Sequence, residues 1–161
     1  MNKINLAIFL ALNGEAKEAI SFYQSVFDGE LLFKISNQEY KEQLNPSINL
    51  ELGSENFISH SIIQIGGVQL QIADNPLYEG MLFSKGTEVS FSVLTDTISS
   101  ANEVYNKATK NSRTRVIQEP TDNEFANFYA VIQDPFGVLI QITNEKEMNP
   151  ENKGGANHAR I

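Results

Sequence analysis

The sequence predicts an α+β fold made of two tandem βαβββ modules. Three observations carry that prediction: two amphipathic helices set among β-rich runs, an order of strand, helix and strands that occurs twice, and short identities linking corresponding points of the two halves. Gly67-Val68-Gln69-Leu70-Gln71-Ile72 recurs 70 residues on as Gly137-Val138-Leu139-Ile140-Gln141-Ile142, and Ile63-Gln64 recurs 69 residues on as Ile132-Gln133. Tyr23 of the first helix matches Tyr105 of the second. Several matches in one order argue for duplication of a unit that buries its core by repetition.

The first element is an apolar run from Ile4 to Leu12, strand-sized and ending at the turn pair Asn13-Gly14. From Glu15 to Phe27 the apolar residues Ala16, Ala19, Ile20, Tyr23, Val26 and Phe27 follow helical spacing, with Gly29 as the expected stop. Strands are expected over Glu30–Ile35 and Ile48–Leu52, around a loop at Asn45-Pro46, and over two runs within Phe57–Ala73 joined by Gly66-Gly67. Asp74-Asn75-Pro76 closes module one, about residues 4–76, and a loop near Gly80, Lys85 and Gly86 follows. Module two, about 86–144, reads as a strand Glu88–Leu94, an N-cap at Asp96 and a helix with Ile98, Ala101, Val104, Tyr105 and Ala108 inward. Strands near Arg115–Gln118, Asn127–Gln133 and Val138–Thr143 complete it, the last two joined by Asp134-Pro135-Phe136-Gly137. Together the modules form one domain over 1–145, followed by a polar, aperiodic tail, 146–161, expected to be flexible or an arm across a partner subunit and to contain His158 without a ligand role.

Composition narrows function. Lys and Arg number 12 against 20 Asp and Glu, a net charge of −8 in 161 residues, which repels phosphate and disfavours nucleic acid and anionic membranes as partners. No apolar run approaches bilayer length, and Met1-Asn2-Lys3 opens no signal-peptide pattern, so a cytoplasmic location is expected. The absence of Cys excludes disulfides, thiolate nucleophiles and thiolate metal sites.

Three motifs in order, Asn13-Gly14-Glu15-Ala16-Lys17-Glu18-Ala19 with Phe22-Tyr23, Ile58-Ser59-His60 with Ile65-Gly66-Gly67, and Asp134-Pro135-Phe136-Gly137-Val138, give the chain a resemblance. It resembles the vicinal oxygen chelate superfamily of glyoxalase I, ring-cleaving dioxygenases and bleomycin-resistance proteins, and within it the PhnB-like branch, also labelled a 3-demethylubiquinone methyltransferase domain. The resemblance covers about residues 4–144 and implies curved mixed sheets enclosing a cleft, helices outside, and a homodimer. Methyl transfer is not implied, because no glycine-rich loop follows a strand.

Hairpin parity about Gly66-Gly67 puts Ile65, Val68, Ile63, Leu70, Ser61 and Ile72 on one side and His60, Ile62, Gln64, Gln69 and Gln71 on the other. In the resembling fold that second side lines the cleft, so His60, Gln64, Gln69 and Gln71 become candidate ligand contacts, with Gln141 from module two and Phe125 and Tyr129 as aromatic walls. Phe125 stands in Glu124-Phe125-Ala126, without the Trp and Gly usual in the branch, and Tyr129 and Phe128 are as readily core as wall. Glu51, on the expected strand Ile48–Leu52, is a weaker candidate base.

The superfamily's metal-binding positions carry over near Ile8, Gln71, Ser90 and Gln141. Only the two glutamines can coordinate, and neutral amides are weak ligands for a divalent cation. The leading expectation is therefore a protein that binds a small molecule in its cleft without a cofactor. A second reading is a lyase, isomerase or dioxygenase whose divalent metal enters through His60, Gln71, Glu88 and Gln141, and a third is a structural or interaction protein whose cleft is filled by side chains. The residues leave open whether the chain is an enzyme.

Overall fold

A computed structural model describes residues 3–74 and 81–147. The chain divides into two compact units, Met1–Lys85 and Gly86–Ile161. The first holds β1 (Ile8–Leu12), α1 (Ala16–Phe27), β2 (Glu30–Ser36), α2 (Asn37–Gln43), β3 (Ile58–Ile65) and β4 (Val68–Asp74). The second holds β5 (Ser90–Leu94), α3 (Ile98–Thr109), β6 (Arg115–Thr121), β7 (Ala126–Gln133) and β8 (Leu139–Glu145). The expectations for Asn75-Pro76, Gly80 and the tail beyond residue 147 with His158 lie outside the described residues.

Each unit is one four-stranded mixed sheet, ordered β1-β4-β3-β2 and β5-β8-β7-β6. In each, the first strand lies parallel to the last and the other pairings are antiparallel. The sequence repeat is the register of these sheets. Ile63 pairs with Leu70 as Ile132 pairs with Ile140, and Gln71 pairs with Ile62 as Gln141 pairs with Val131. The 70-residue offset thus relates β4 to β8, and the 69-residue offset relates β3 to β7.

One face of each sheet is dry. α1 packs Ala16, Ala19, Ile20, Tyr23 and Val26 onto β3 and β4, over the fully buried Ile63 and Ile72. Ser61 shares this face, and its hydroxyl is satisfied by donating to the Ile72 carbonyl at 2.6 Å. In the second unit α3 lies on β7 and β8, and Phe128, Ala130, Ile132, Ile140 and Ile142 are buried. Phe128 meets Tyr105 edge-on, centroids 6.4 Å apart, so Phe128 is core and not a ligand wall.

The helix starts differ. Thr97 caps α3, its hydroxyl accepting from Ser100 N–H at 3.0 Å, one residue past the expected Asp96. α1 has no capping side chain at Glu15. Its cap is Asp74, from the end of β4: Oδ1 accepts from Gly14 N–H at 2.7 Å and Ala16 N–H at 3.0 Å, and Oδ2 from Ile58 N–H at 2.9 Å. At the other end of α1 the left-handed residue is Asp28 (φ 51°), not Gly29. Gly29 is required for close approach instead, since a Cβ there would lie 2.5 Å from Ile63 Cγ2.

Two expectations in module one are corrected. Ile48–Leu52 is not a strand: Ile48 N–H donates to Asn45 O and Ser54 N–H to Glu51 O, turn bonds that leave Leu52 fully exposed. Glu51 is therefore a turn residue rather than a strand-borne base. In compensation, α2 forms where a loop was expected, because Ser36 and Glu39 make a reciprocal capping box. Ser36 N–H donates to Glu39 Oε2 at 2.8 Å and Glu39 N–H to Ser36 Oγ at 3.1 Å. The Ser36 backbone N–H, and then its hydroxyl, hold the Glu39 carboxyl below the usual carboxylate range. A depressed folded pKa contributes stability above the unfolded value that is lost as pH falls through the folded one. We expect α2 to fray first on acidification, read as a lower exchange protection factor at the residue-39 amide, and Glu39→Gln to flatten that pH dependence.

Candidate functional site

Strand alternation builds the candidate site on the open face of the second sheet. In β7, Tyr129, Val131 and Gln133 alternate with the buried Phe128, Ala130 and Ile132. In β8, Leu139, Gln141, Thr143 and Glu145 alternate with Ile140, Ile142 and Asn144. Tyr129 pairs with Thr143, one step diagonal from Gln141. Its Oη donates to Gln141 Oε1 at 3.2 Å, and Gln141 Nε2 donates to Ser90 Oγ at 2.9 Å. A polar chain thus crosses β7, β8 and β5.

Beside this chain is a cavity of about 530 Å³. Ala126, Tyr129, Gln141, Thr143 and Glu145 line it from the strands, and Asn123, Phe125 and Lys146 from the segments flanking β7 and β8. Asn123 shapes the wall: its Oδ1 accepts from Phe125 N–H and Ala126 N–H, both at 2.9 Å. Lys146 closes the same loop by donating from Nζ to Asn123 O at 2.6 Å and from its backbone N–H to Phe125 O at 2.8 Å. Phe125 remains 67% exposed at the mouth. This is a concave, partly aromatic space with a few converging polar groups, the usual character of a small-molecule site.

Three residues expected at the site, Phe125, Tyr129 and Gln141, therefore come together in one cavity. Alternation from Gln141 also points to Thr143 and Glu145, once β8 runs to Glu145 rather than stopping at Thr143. Asn123 and Lys146 carry no sequence signal, because a loop fold brings them there.

The module-one candidates lie on the corresponding face of the first sheet. His60 stands two residues before Ile62, the partner of Gln71, as Tyr129 stands two before Val131, the partner of Gln141. His60 is half-buried against Phe33, ring centroids 6.0 Å apart. Gln71 has Phe9 and Ile62 as cross-strand partners. Gln64 pairs with Gln69, and its Nε2 donates to Gly66 O at 2.6 Å, bracing its own turn. Gln133 makes the matching bond to Gly137 O at 3.2 Å.

The family match decides the assignment. Residues 6–142 match the profile of the Glyoxalase/Bleomycin resistance protein/Dioxygenase superfamily. The chain belongs to that superfamily. Among solved structures, this superfamily member is similar to protein PA1353 from Pseudomonas aeruginosa, with TM-score 0.72, 19% identity, and coverage of 90% of this chain and 100% of that one. It is similar to the PhnB protein of Bacillus cereus, named for 3-demethylubiquinone-9 3-methyltransferase, with TM-score 0.66, 21% identity, and coverage of 88% and 99%. It is also similar to a variant of the fosfomycin resistance protein FosX from Listeria monocytogenes, complexed with Mn(II) and a dihydroxypropylphosphonic acid, with TM-score 0.60, 12% identity, and coverage of 95% and 98%. These likenesses establish the fold. No curated protein matches the sequence significantly.

The residues of each unit can be tested against a divalent metal. His60 and Gln71 lie in the first unit, Glu88 and Gln141 in the second. Among the described residues no three His, Asp or Glu side chains gather. Near Gln141 the donors are neutral: an amide oxygen already accepting from Tyr129 and the hydroxyl of Ser90. Glu88 is exposed, and a Cβ on Gly86 would touch its carboxylate, which places it back over its own loop. In the first sheet the strand partner of Gln71 is Phe9, one residue beyond Ile8, and has no donor atom. A divalent cation needs anionic oxygen or imidazole to replace its water shell, and the described residues of neither unit by itself assemble a set that fits one.

Proposed function

We propose that this superfamily member binds a small, planar, polar molecule in the module-two cavity and does so without a catalytic metal. The observation that carries the reading is the convergence of Phe125, Tyr129, Gln141 and Thr143 on one cavity of about 530 Å³. Phe125 and Tyr129 supply ring faces for stacking, while Gln141 and Thr143 supply hydrogen-bonding groups that orient the ligand. Gln141 is held in place from both ends by Tyr129 and Ser90, so its amide orientation is set before a ligand arrives. The Tyr129 proton is directed to Gln141, and the groups at the centre of the described lining, Tyr129, Gln141 and Thr143, are neutral hydrogen-bonding groups suited to holding a ligand.

A thermal-melt screen of aromatic polar fragments in excess chelator tests this. A fragment present at a hundred times its Kd stabilises the protein by about 2.7 kcal/mol. Phe125→Ala and Gln141→Ala are each expected to weaken binding roughly fivefold to tenfold, the scale of one stacking contact or one hydrogen bond. Stabilisation that appears only with added Mn²⁺, Zn²⁺ or Ni²⁺ overturns the metal-free reading in favour of a metal-dependent lyase, isomerase or dioxygenase.

A further inference from the structure

We infer that the module-two cavity selects a planar ligand carrying a protonated amine, its ring on Phe125 and Tyr129 and its cation against Glu145. This rests on the cavity being the ligand site and adds the charge class of what enters it. Several hydrogen-bonding groups of the lining are already engaged within the protein. Tyr129 commits its only proton to Gln141, so toward the cavity its oxygen can only accept. Asn123 has both bonds of its amide oxygen filled by the loop. Lys146, the one cation among the described lining residues, has its ammonium drawn onto the Asn123 carbonyl at 2.6 Å. Glu145 lines the same space, and among the described residues no ion pair engages its carboxylate. Its carboxylate is thus an anionic acceptor open to a ligand, set against a Lys146 charge that is tethered to the loop but not cancelled by its bond to a neutral carbonyl.

Two further terms carry the same sign. Aromatic faces present negative quadrupole density, which attracts a cation lying over Phe125 or Tyr129. The chain's net charge of −8 raises the local concentration of cations and lowers that of anions. Lys146 opposes both, and the balance between Lys146 and Glu145 is what an experiment can read.

Tryptamine, tryptophol and indole-3-acetate share one ring system and carry charges of about +1, 0 and −1 at neutral pH. Calorimetric titration of the full chain with each, at low salt and in chelator, is expected to give tryptamine about tenfold tighter than indole-3-acetate, with tryptophol between. Glu145→Gln, at an exposed position, is expected to bring tryptamine to the level of tryptophol while leaving tryptophol within about twofold. Added salt lowers the tryptamine affinity of the parent protein more than that of Glu145→Gln. Equal binding of all three, lost in Phe125→Ala, overturns the charge selectivity and leaves the cavity as a ligand site. Tightest binding by indole-3-acetate overturns it in favour of Lys146. If none of the three binds, the reading of the cavity as the ligand site fails, and the selectivity fails with it.

Discussion

Replacing Asp74 with Ala is expected to lower the stability of the protein by about 4 kcal/mol, the largest effect of any single polar substitution in the first unit. One buried carboxylate accepts from three backbone donors, those of Gly14, Ala16 and Ile58, and so ties the start of α1 to both β3 and β4. Removing it leaves the three N–H groups without that acceptor and the helix without a cap. Asp74→Asn is expected to cost about half as much: one oxygen still serves Gly14 and Ala16, but the amide NH₂ then faces the Ile58 N–H. The corresponding residue of module two is Asn144, and there an amide suits the surroundings. Asn144 Nδ2 donates to Thr95 O at 2.9 Å and its Oδ1 accepts from Asn127 Nδ2 at 3.1 Å. Because α3 is capped by Thr97, position 144 is free of that duty. Urea unfolding of Asp74→Ala, Asp74→Asn and Asn144→Ala, read by circular dichroism, checks the order.

Gly29→Ala is expected to cost about 2–3 kcal/mol, although it adds a single methyl group. The methyl would sit 2.5 Å from Ile63 Cγ2 and 3.3 Å from Ile65 Cγ1, and Ile63 is fully buried under α1 with no room to turn away. The origin is steric, since the backbone of Gly29 is open to other residues and it is Asp28 that adopts the left-handed conformation. A double-mutant cycle separates the two explanations. In an Ile63→Ala background, which removes the obstructing methyl, Gly29→Ala is expected to be nearly neutral. A cost that persists in that background would place the effect in the backbone.

Much of the fold was legible because the duplication repeats in register. The Gln71 and Gln141 hexapeptides mark equivalent positions of equivalent strands, and the Gly66-Gly67 hairpin fixes the parity of His60, Ile62 and Gln64. Errors arose where local pattern and tertiary pairing disagree. Ile48–Leu52 alternates as a strand does, yet its backbone is taken up by turns at Asn45 and Ser54. The Ser36-x-x-Glu39 box announced α2, but the helix is polar throughout and shows no apolar period to notice. In the site, Tyr129 was legible from its alignment with the His60 region of module one, Gln141 from the repeat of Gln71 and the resemblance, and Phe125 from the resemblance. Glu145 and Lys146 lay past the expected end of β8, and the capping role of Asp74 joins residues 58 and 60 apart in sequence, a distance at which no local signal operates.

The most direct test of the central claim is residue-resolved NMR of the chelator-treated protein during titration with an aromatic amine fragment. The account predicts saturable shifts centred on Tyr129, Gln141, Thr143 and Phe125, unchanged when divalent metal is withheld and abolished by Gln141→Ala with Phe125→Ala. Shifts that require added metal, or that centre on His60 and Gln71 while the module-two cavity stays silent, would contradict it.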